Sequence, residues 1–293
     1  MDRKPFPPWL KKRVPSSEQM AEVWNLISSS KLHTICQSAH CPNLGECFSR
    51  GTATFLILGD TCTRNCRFCQ VKKGKPLPVD KNEPLRIREA VEKLALQFVV
   101  VTSVTRDDLP DGGAGLFAEV IRELHKAGKK IEILIPDFKG SRKAIETVIQ
   151  EKPEVFAHNL ETVPRLYPIV RPQADYLRSL EVLEIAKKLA PSQVTKSGMM
   201  VGMGEKESEV IEVMKKAKEK NVDIFTIGQY LPPTPGHYPL QEFVHPDVFE
   251  MYQKKGEEMG MVVLSGPWVR SSYQAEKVYQ QTISKYSPSE NRL

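Results

Sequence analysis

The stretch TATFLILGDTCTRNCRFC, residues 52 to 69, runs from an apolar, β-rich segment straight into three closely spaced cysteines. A continuous apolar run, in place of strict alternation, suits a strand buried on both faces of a parallel sheet. Similar runs recur at residues 96–104, 131–137, 155–161, 194–202, 223–231 and 261–267. Amphipathic segments separate them. Between 85 and 96, Ile87, Val91 and Leu94 return at helical spacing, and residues 115–130, 141–152, 176–190, 205–221 and 245–260 behave alike. Strand and helix alternating about six or seven times mean βαβ crossovers and a parallel sheet.

A doubly wound sheet and a complete or partial (β/α) barrel both satisfy that alternation. The even repeat favours the barrel, as does the lack of a glycine-rich dinucleotide fingerprint after the first strand. Polar residues also gather near the strand ends, on the face where barrel active sites form: Thr102, Ser103, Asp137, Asn159, Glu161, Lys196, Gln229 and Tyr230. The expected fold class is α/β, a partial (β/α)6-type TIM barrel with N-terminal and C-terminal extensions covering its mouth. The expected division is residues 1–50 for an arm, helix and cysteine-rich loop, 51–267 for the barrel, and 268–293 for the C-terminal extension. Residues 15–30 read as a short helix with a serine N-cap. Pro42, Asn43 and Gly45 predict turns, not a regular element, from Ile35 to Arg50, and the polar tail after Lys285 is expected to fray.

The 293 residues are 40% hydrophobic and 27% charged, an ordinary globular composition. A net charge of +6, from 42 Lys and Arg against 36 Asp and Glu, is far from a nucleic-acid footprint and reads as a solvated surface. The N-terminus, MDRKPFPPWLKKRVP, is basic and proline-rich, with no apolar core of signal-peptide length. An uninterrupted apolar run of about 18 residues occurs nowhere, so no membrane span is expected. Without a secretory signal, the expected location is the cytoplasm, where thiols stay reduced and clustered cysteines are ligands before they are disulfides.

All six cysteines fall in two triplets. Cys62, Cys66 and Cys69 have C-x3-C-x2-C spacing directly after the first strand. Zinc sites pair C-x2-C units and complete a tetrahedron with Cys or His, but here the third gap is wrong and no nearby histidine follows. Crowded thiolates suit an iron–sulfur cluster, which takes one Cys per iron. Three cysteines for four irons leave one iron free for a small molecule. Cys36, Cys41 and Cys47 have C-x4-C-x5-C spacing, which by itself also admits a zinc site or a structural loop.

With Phe68 directly before its last cysteine, CTRNCRFC resembles the signature of the radical S-adenosylmethionine (SAM) superfamily. That resemblance implies a cluster whose free iron is chelated by SAM, reductive cleavage of SAM to a 5′-deoxyadenosyl radical, and a (β/α) barrel. The upstream triplet resembles the auxiliary-cluster motif of lipoyl synthases. Residues 102–114, 158–163, 196–205, 228–234 and 265–273 also look like segments of that family, and the likeness extends from Leu32 to Ala275. It implies two [4Fe–4S] clusters and SAM as cofactors, with sulfur inserted at C6 and C8 of a protein-bound octanoyl chain at the expense of the auxiliary cluster. The implied fourth ligand of that cluster is Ser271 or Ser272 of RSSY; the motif does not say which.

By the same resemblance, Thr102, Ser103, Asn159 and Glu161 lie where SAM is held, Lys196 meets a carboxylate, and Phe68 packs near the adenine. Each also reads as an ordinary loop residue. Arg106, Asp107 and Asp108 are expected to organise the barrel rim, and His158 and His237 to form hydrogen bonds instead of binding metal. The implied partners are an octanoylated lipoyl-carrier domain (glycine cleavage H protein or the E2 lipoyl domain of a 2-oxoacid dehydrogenase), an electron donor such as ferredoxin or flavodoxin, and an iron–sulfur carrier. Neither nucleic acid nor membrane is expected as a partner. Lys11, Lys12 and Arg13 are candidate contacts for an acidic carrier domain.

Overall fold

In the computed structural model, which describes residues 5–11 and 18–286, all seven apolar runs form strands. Helix α1 (Glu18–Ser29) leads into a two-residue strand, β1 (His33–Thr34), and then into two short helices, α2 (Ile35–Ser38) and α3 (Leu44–Ser49). Strand β2 (Thr54–Ile57) opens the barrel, and the loop after it passes through β3 (Thr61–Cys62) and β4 (Lys72–Lys73). Regular alternation follows: α4 (Glu83–Lys93), β5 (Phe98–Ser103), α5 (Ala114–Lys126), β6 (Lys130–Leu134), α6 (Arg142–Ile149) and β7 (Val155–Ala157). Next come α7 (Tyr167–Val170), α8 (Tyr176–Leu189), β8 (Val194–Val201), α9 (Glu207–Glu219), β9 (Ile224–Gln229), α10 (Pro246–Glu258), β10 (Val262–Gly266) and α11 (Ala275–Tyr286).

The main sheet runs β1-β2-β5-β6-β7-β8-β9-β10. Its neighbours are parallel except β1, which lies antiparallel on β2. Among the described residues β10 pairs only with β9, so the barrel is open on that side. Burial on both faces explains the continuous apolar runs: every residue of β2 and of β9 is buried. The helices cover the outside through one stripe each; α5 buries Phe117, Val120, Ile121 and Leu124. Asp175 and Ser141 cap α8 and α6 by accepting from the amides of Arg178 and Ala144.

Three expectations need correction or placement. The cysteine-rich segment is not only turns: Thr34 caps α2 by accepting from the Gln37 amide, and the local hydrogen bond outweighs the turn-forming residues that follow. Helix α11 had no clear signal, because its buried face is only Ala275, Val278 and Thr282. Ser16 and Ser17, the expected caps of α1, lie outside the described residues, as does the tail beyond Tyr286.

Lys196 is not at the barrel mouth. It is the third residue of β8, two positions before Gly198, which lines the central cavity. Its ammonium donates to both carboxylate oxygens of Glu132 at 2.8 and 2.9 Å. Glu132 likewise lies two positions before Leu134 of the cavity wall, and neither Lys196 nor Glu132 lines the cavity itself. Both residues are fully buried, where a charge persists only when paired. Lys196 does meet a carboxylate, and that carboxylate belongs to the protein itself.

Lys196→Met alone should therefore strand a buried carboxylate and destabilise the chain by about 3–5 kcal/mol, whereas adding Glu132→Leu should recover most of the loss. A double-mutant cycle in urea unfolding measures this, and additive losses would contradict it.

Candidate metal centres

The loop of the second triplet is fixed by a side chain inside its own motif. Arg64 is buried, and its Nε and Nη2 donate to Asp107 at 2.7 and 2.9 Å. Nη1 and Nη2 also donate to Asp137 at 3.0 and 2.7 Å. Asp107 follows β5 and Asp137 follows β6, so one guanidinium ties the cysteine loop to two neighbouring strand ends. Burial alone would raise the Asp137 carboxyl, but the hydrogen bonds and charge of Arg64 bring it down to about 2. Arg106 pairs with Asp108 and donates to Leu58 O, so the charged run belongs to the rim.

Backbone groups secure the other side of the loop. The Arg67 amide donates to Val170 O and the Tyr238 amide to Arg67 O, each at 2.8 Å. His237 Nε2 donates to Cys69 O at 3.2 Å, while its Nδ1 sits 2.8 Å from the Thr234 hydroxyl. Cys62 Sγ accepts from the amides of Arg64 and Thr105 at 3.4 and 3.3 Å.

Cys62, Cys66 and Cys69 line a cavity of about 160 Å³ together with Phe68, Thr102, Ser103, His158, Asn159, Glu161 and Arg171. Among the described residues, three buried polar atoms on this wall have no hydrogen-bond partner: Ser103 Oγ, His158 Nε2 and Arg171 Nε. Buried polar groups are ordinarily satisfied, so this wall is built for an occupant with polar atoms. His158 Nδ1 must carry the proton, because it faces the carbonyl of Ile135 at 2.9 Å, which leaves Nε2 as an acceptor. Burial, helped by the charge of Arg171, lowers the imidazole to about 4. Arg171 Nη1 donates to Asn159 O, Leu160 O and the Tyr167 hydroxyl.

The sequence-predicted contacts come together unequally. Thr102 donates to Leu134 O, which uses its proton inside the sheet. Asn159 Nδ2 donates to Glu161 Oε1 at 3.1 Å. Glu161 has a positive φ of 68°, a costly conformation outside glycine, held by pairing with Gly198 and Met200. Burial raises its carboxyl against the opposing charge of Arg171.

The first triplet sits opposite. Cys36 on α2, Cys41, and Cys47 on α3 line a cavity of about 470 Å³ with Arg270, Ser272 and Tyr273. Cross-chain hydrogen bonds close it: Asn43 Nδ2 to Trp268 O at 2.6 Å, Trp268 Nε1 to Trp9 O at 3.2 Å, and the Tyr273 hydroxyl to Glu46 at 3.0 Å. Ser271 Oγ instead donates to Asn159 Oδ1 at 3.1 Å, so the two serines face different groups. A further cavity, also about 470 Å³, joins the centres; its wall includes Phe68, Cys69, Asn159, Glu161, Cys36, Cys41, Ser271 and Ser272.

The thiols themselves are poised for metal, not for reaction. Burial pushes Cys69 up to about 12, and burial with the nearby Cys41 does the same to Cys36. Cys66 is also raised by burial, against the pull of Arg171. Thiols held protonated by burial release that proton on binding metal. Among the described residues no three His, Cys, Asp or Glu side chains gather around one point as a single-ion site does. The cysteines rim cavities instead, which suits polynuclear groups.

The model for the radical SAM superfamily matches residues 56–217. A lipoyl synthase from Caldicellulosiruptor saccharolyticus is 56% identical over 274 residues, covering 92% of this chain and 96% of that one. The chain belongs to the lipoyl synthase family. Further lipoyl synthases, from Caldanaerobacter subterraneus subsp. tengcongensis and Azotobacter vinelandii, are 55% and 50% identical over 92% of the chain and cover 95% and 85% of their own lengths. Among solved structures, SuiB from Streptococcus suis bound to S-adenosylmethionine superposes with a TM-score of 0.58 at 10% identity, over 76% of this chain and 54% of that one. Methylornithine synthase gives 0.54 at 14%, over 85% and 72%; at such identities the likeness speaks to the barrel alone.

The cofactors of this lipoyl synthase family chain are SAM and [4Fe–4S] clusters. The orphaned atoms and the thiol-lined cavities fit them. Arg171 carried no motif-level signal, since only the fold brings it to the cysteines. Of the basic trio, Lys11 is exposed, while Lys12 and Arg13 lie outside the described residues. No helix among the described residues is long and apolar enough to cross a membrane.

The His158 value sets an acid sensitivity. Its folded-state value is below that of a free imidazole, so the unfolded chain binds the proton first. Stability is full above about pH 6.5 and should fall by on the order of 3 kcal/mol as pH drops toward 4. Urea unfolding of the metal-free protein across that range measures the loss. A His158→Asn variant should flatten it, and an unchanged slope would refute the assignment.

Proposed function

We propose that the chain inserts two sulfur atoms, at C6 and C8, into an octanoyl chain carried on a lipoyl domain. A single cavity supports this reading, because Cys69 of one triplet shares its wall with Cys36 and Cys41 of the other. An alkyl chain entering there lies beside both centres at once. When bound, the cluster and SAM at the first centre supply the radical that removes a hydrogen atom, and the cluster at the second supplies the sulfur.

The chain's own residues hold and shield these groups. Cys62, Cys66 and Cys69 hold the first cluster, leaving one iron for SAM. Asn159 and Glu161, locked to each other, accept from the amino and ribose groups of SAM, with Ser103 and His158 adding polar contacts and Phe68 an apolar one. Thr102 orders the wall behind them. Cys36, Cys41 and Cys47 hold the second cluster, with Ser272 as its fourth ligand; Ser272 lines the cavity of all three cysteines, whereas Ser271 is engaged with Asn159. Ile35, Met200, Leu231, Pro232 and Pro233 give the shared cavity an apolar lining that receives the alkyl chain and excludes water.

Residues 1–50 and 268–293 act as one cover over the barrel of residues 51–267, which the Asn43–Trp268 and Glu46–Tyr273 hydrogen bonds support. The carrier is an H protein or an E2 lipoyl domain. Each SAM cleavage takes one electron and each product takes two sulfides, so a donor of the ferredoxin or flavodoxin kind and an iron–sulfur carrier complete the system.

Anaerobic incubation with an octanoylated carrier domain, SAM and reductant should yield 5′-deoxyadenosine and a carrier heavier by two sulfur atoms. Cys36→Ala, Cys41→Ala or Cys47→Ala should stop sulfur insertion yet leave SAM cleavage, whereas alanine at Cys62, Cys66 or Cys69 should stop both. Robust SAM cleavage without sulfur transfer by the unaltered chain would reject the activity, and equal losses in the two sets would reject the division of roles.

A further inference from the structure

We infer that Thr54 is a positioning residue of the second metal centre, orienting the serine ligand beside the first triplet. The inference rests on the lipoyl synthase reading of that site. Thr54 begins β2, and its side chain is buried. Its hydroxyl lies 3.0 Å from Ser272 Oγ. Thr54 and Cys36 both line the two cavities of about 470 Å³, so Thr54 stands between the alkyl pocket and the sulfur source.

A hydroxyl carries one proton and two lone pairs, and Thr54 gives its proton to Ser272 Oγ. A serine side chain has three staggered rotamers, and only one directs Oγ as observed. The backbone around it is held separately: the Tyr273 amide donates to Arg270 O, the Tyr273 hydroxyl to Glu46, and Ser271 to Asn159. The turn should therefore survive without Thr54's hydroxyl while the Ser272 side chain loses its fixed orientation. Thr54 controls how firmly the oxygen ligand stays on its iron, the weakest attachment in a cluster that must come apart.

The test uses the full chain with Cys62, Cys66 and Cys69 changed to alanine, so that only the second centre is filled. After reconstitution, a chelator is added and loss of one iron is followed by the EPR signal of a three-iron cluster. Thr54→Val should still assemble a four-iron cluster but lose that iron about three- to ten-fold faster, the factor an ordinary hydrogen bond supplies. Thr54→Ser should restore the parental rate. In a Ser272→Ala background, Thr54→Val should change nothing further. Equal rates for the Thr54→Val and parental chains, or an undiminished effect of Thr54→Val without Ser272, would overturn the inference. A triple-alanine chain that takes zinc, or forms no four-iron cluster, would overturn the lipoyl synthase reading instead, and the inference with it.

Discussion

The antiparallel pairing of β1 on β2 is only two residues long, His33 against Leu56 and Thr34 against Phe55, yet it places one metal centre relative to the other. Everything else in the main sheet is parallel. A parallel strand in that position would need a long crossover, and the chain could not then turn at once into the first triplet. The antiparallel approach delivers Thr34 to the start of α2, where it caps the helix bearing Cys36. The register of this short ladder therefore sets where the sulfur source stands above the barrel.

The Arg64 fork does the complementary work on the other side. Arg64 and Asp137 are buried and Asp107 is half-buried, and a buried charge of this kind is costly when left unpaired. Together they hold the cysteine loop against the ends of β5 and β6 through contacts wholly within the protein. The loop is thus shaped by interactions that do not require metal, unlike a zinc finger that folds only when its ion arrives. The first triplet is held more lightly, by the β1–β2 ladder and by the hydrogen bonds of Asn43 with Trp268 and of Glu46 with Tyr273. Different stiffness suits different duties: one centre must persist and the other must be dismantled.

The barrel was legible because its strands are buried on both faces and its helices on one, patterns that survive in any linear reading. Both triplets were legible because ligand spacing is local. Ser271 and Ser272 could be named only as alternatives, since what separates them is which distant residue each faces, Asn159 or Thr54. Lys196 was misplaced for a related reason. A lysine inside an apolar strand looks like a functional exception, and its partner Glu132 lies two strands away, beyond the reach of periodicity. The short helices around the first triplet were obscured by turn-forming residues, and α11 by a sparse apolar face.

The open side of the barrel has a mechanical consequence. β2 and β10 do not pair, and the segments beside them meet through Asn43 with Trp268, Glu46 with Tyr273, and Thr54 with Ser272. A group bridging the first triplet and residues 268–273 would close a loop that spans most of the chain, as a disulfide would, and such long closures restrict the unliganded chain most. Without that bridge, the seam rests on these three hydrogen bonds.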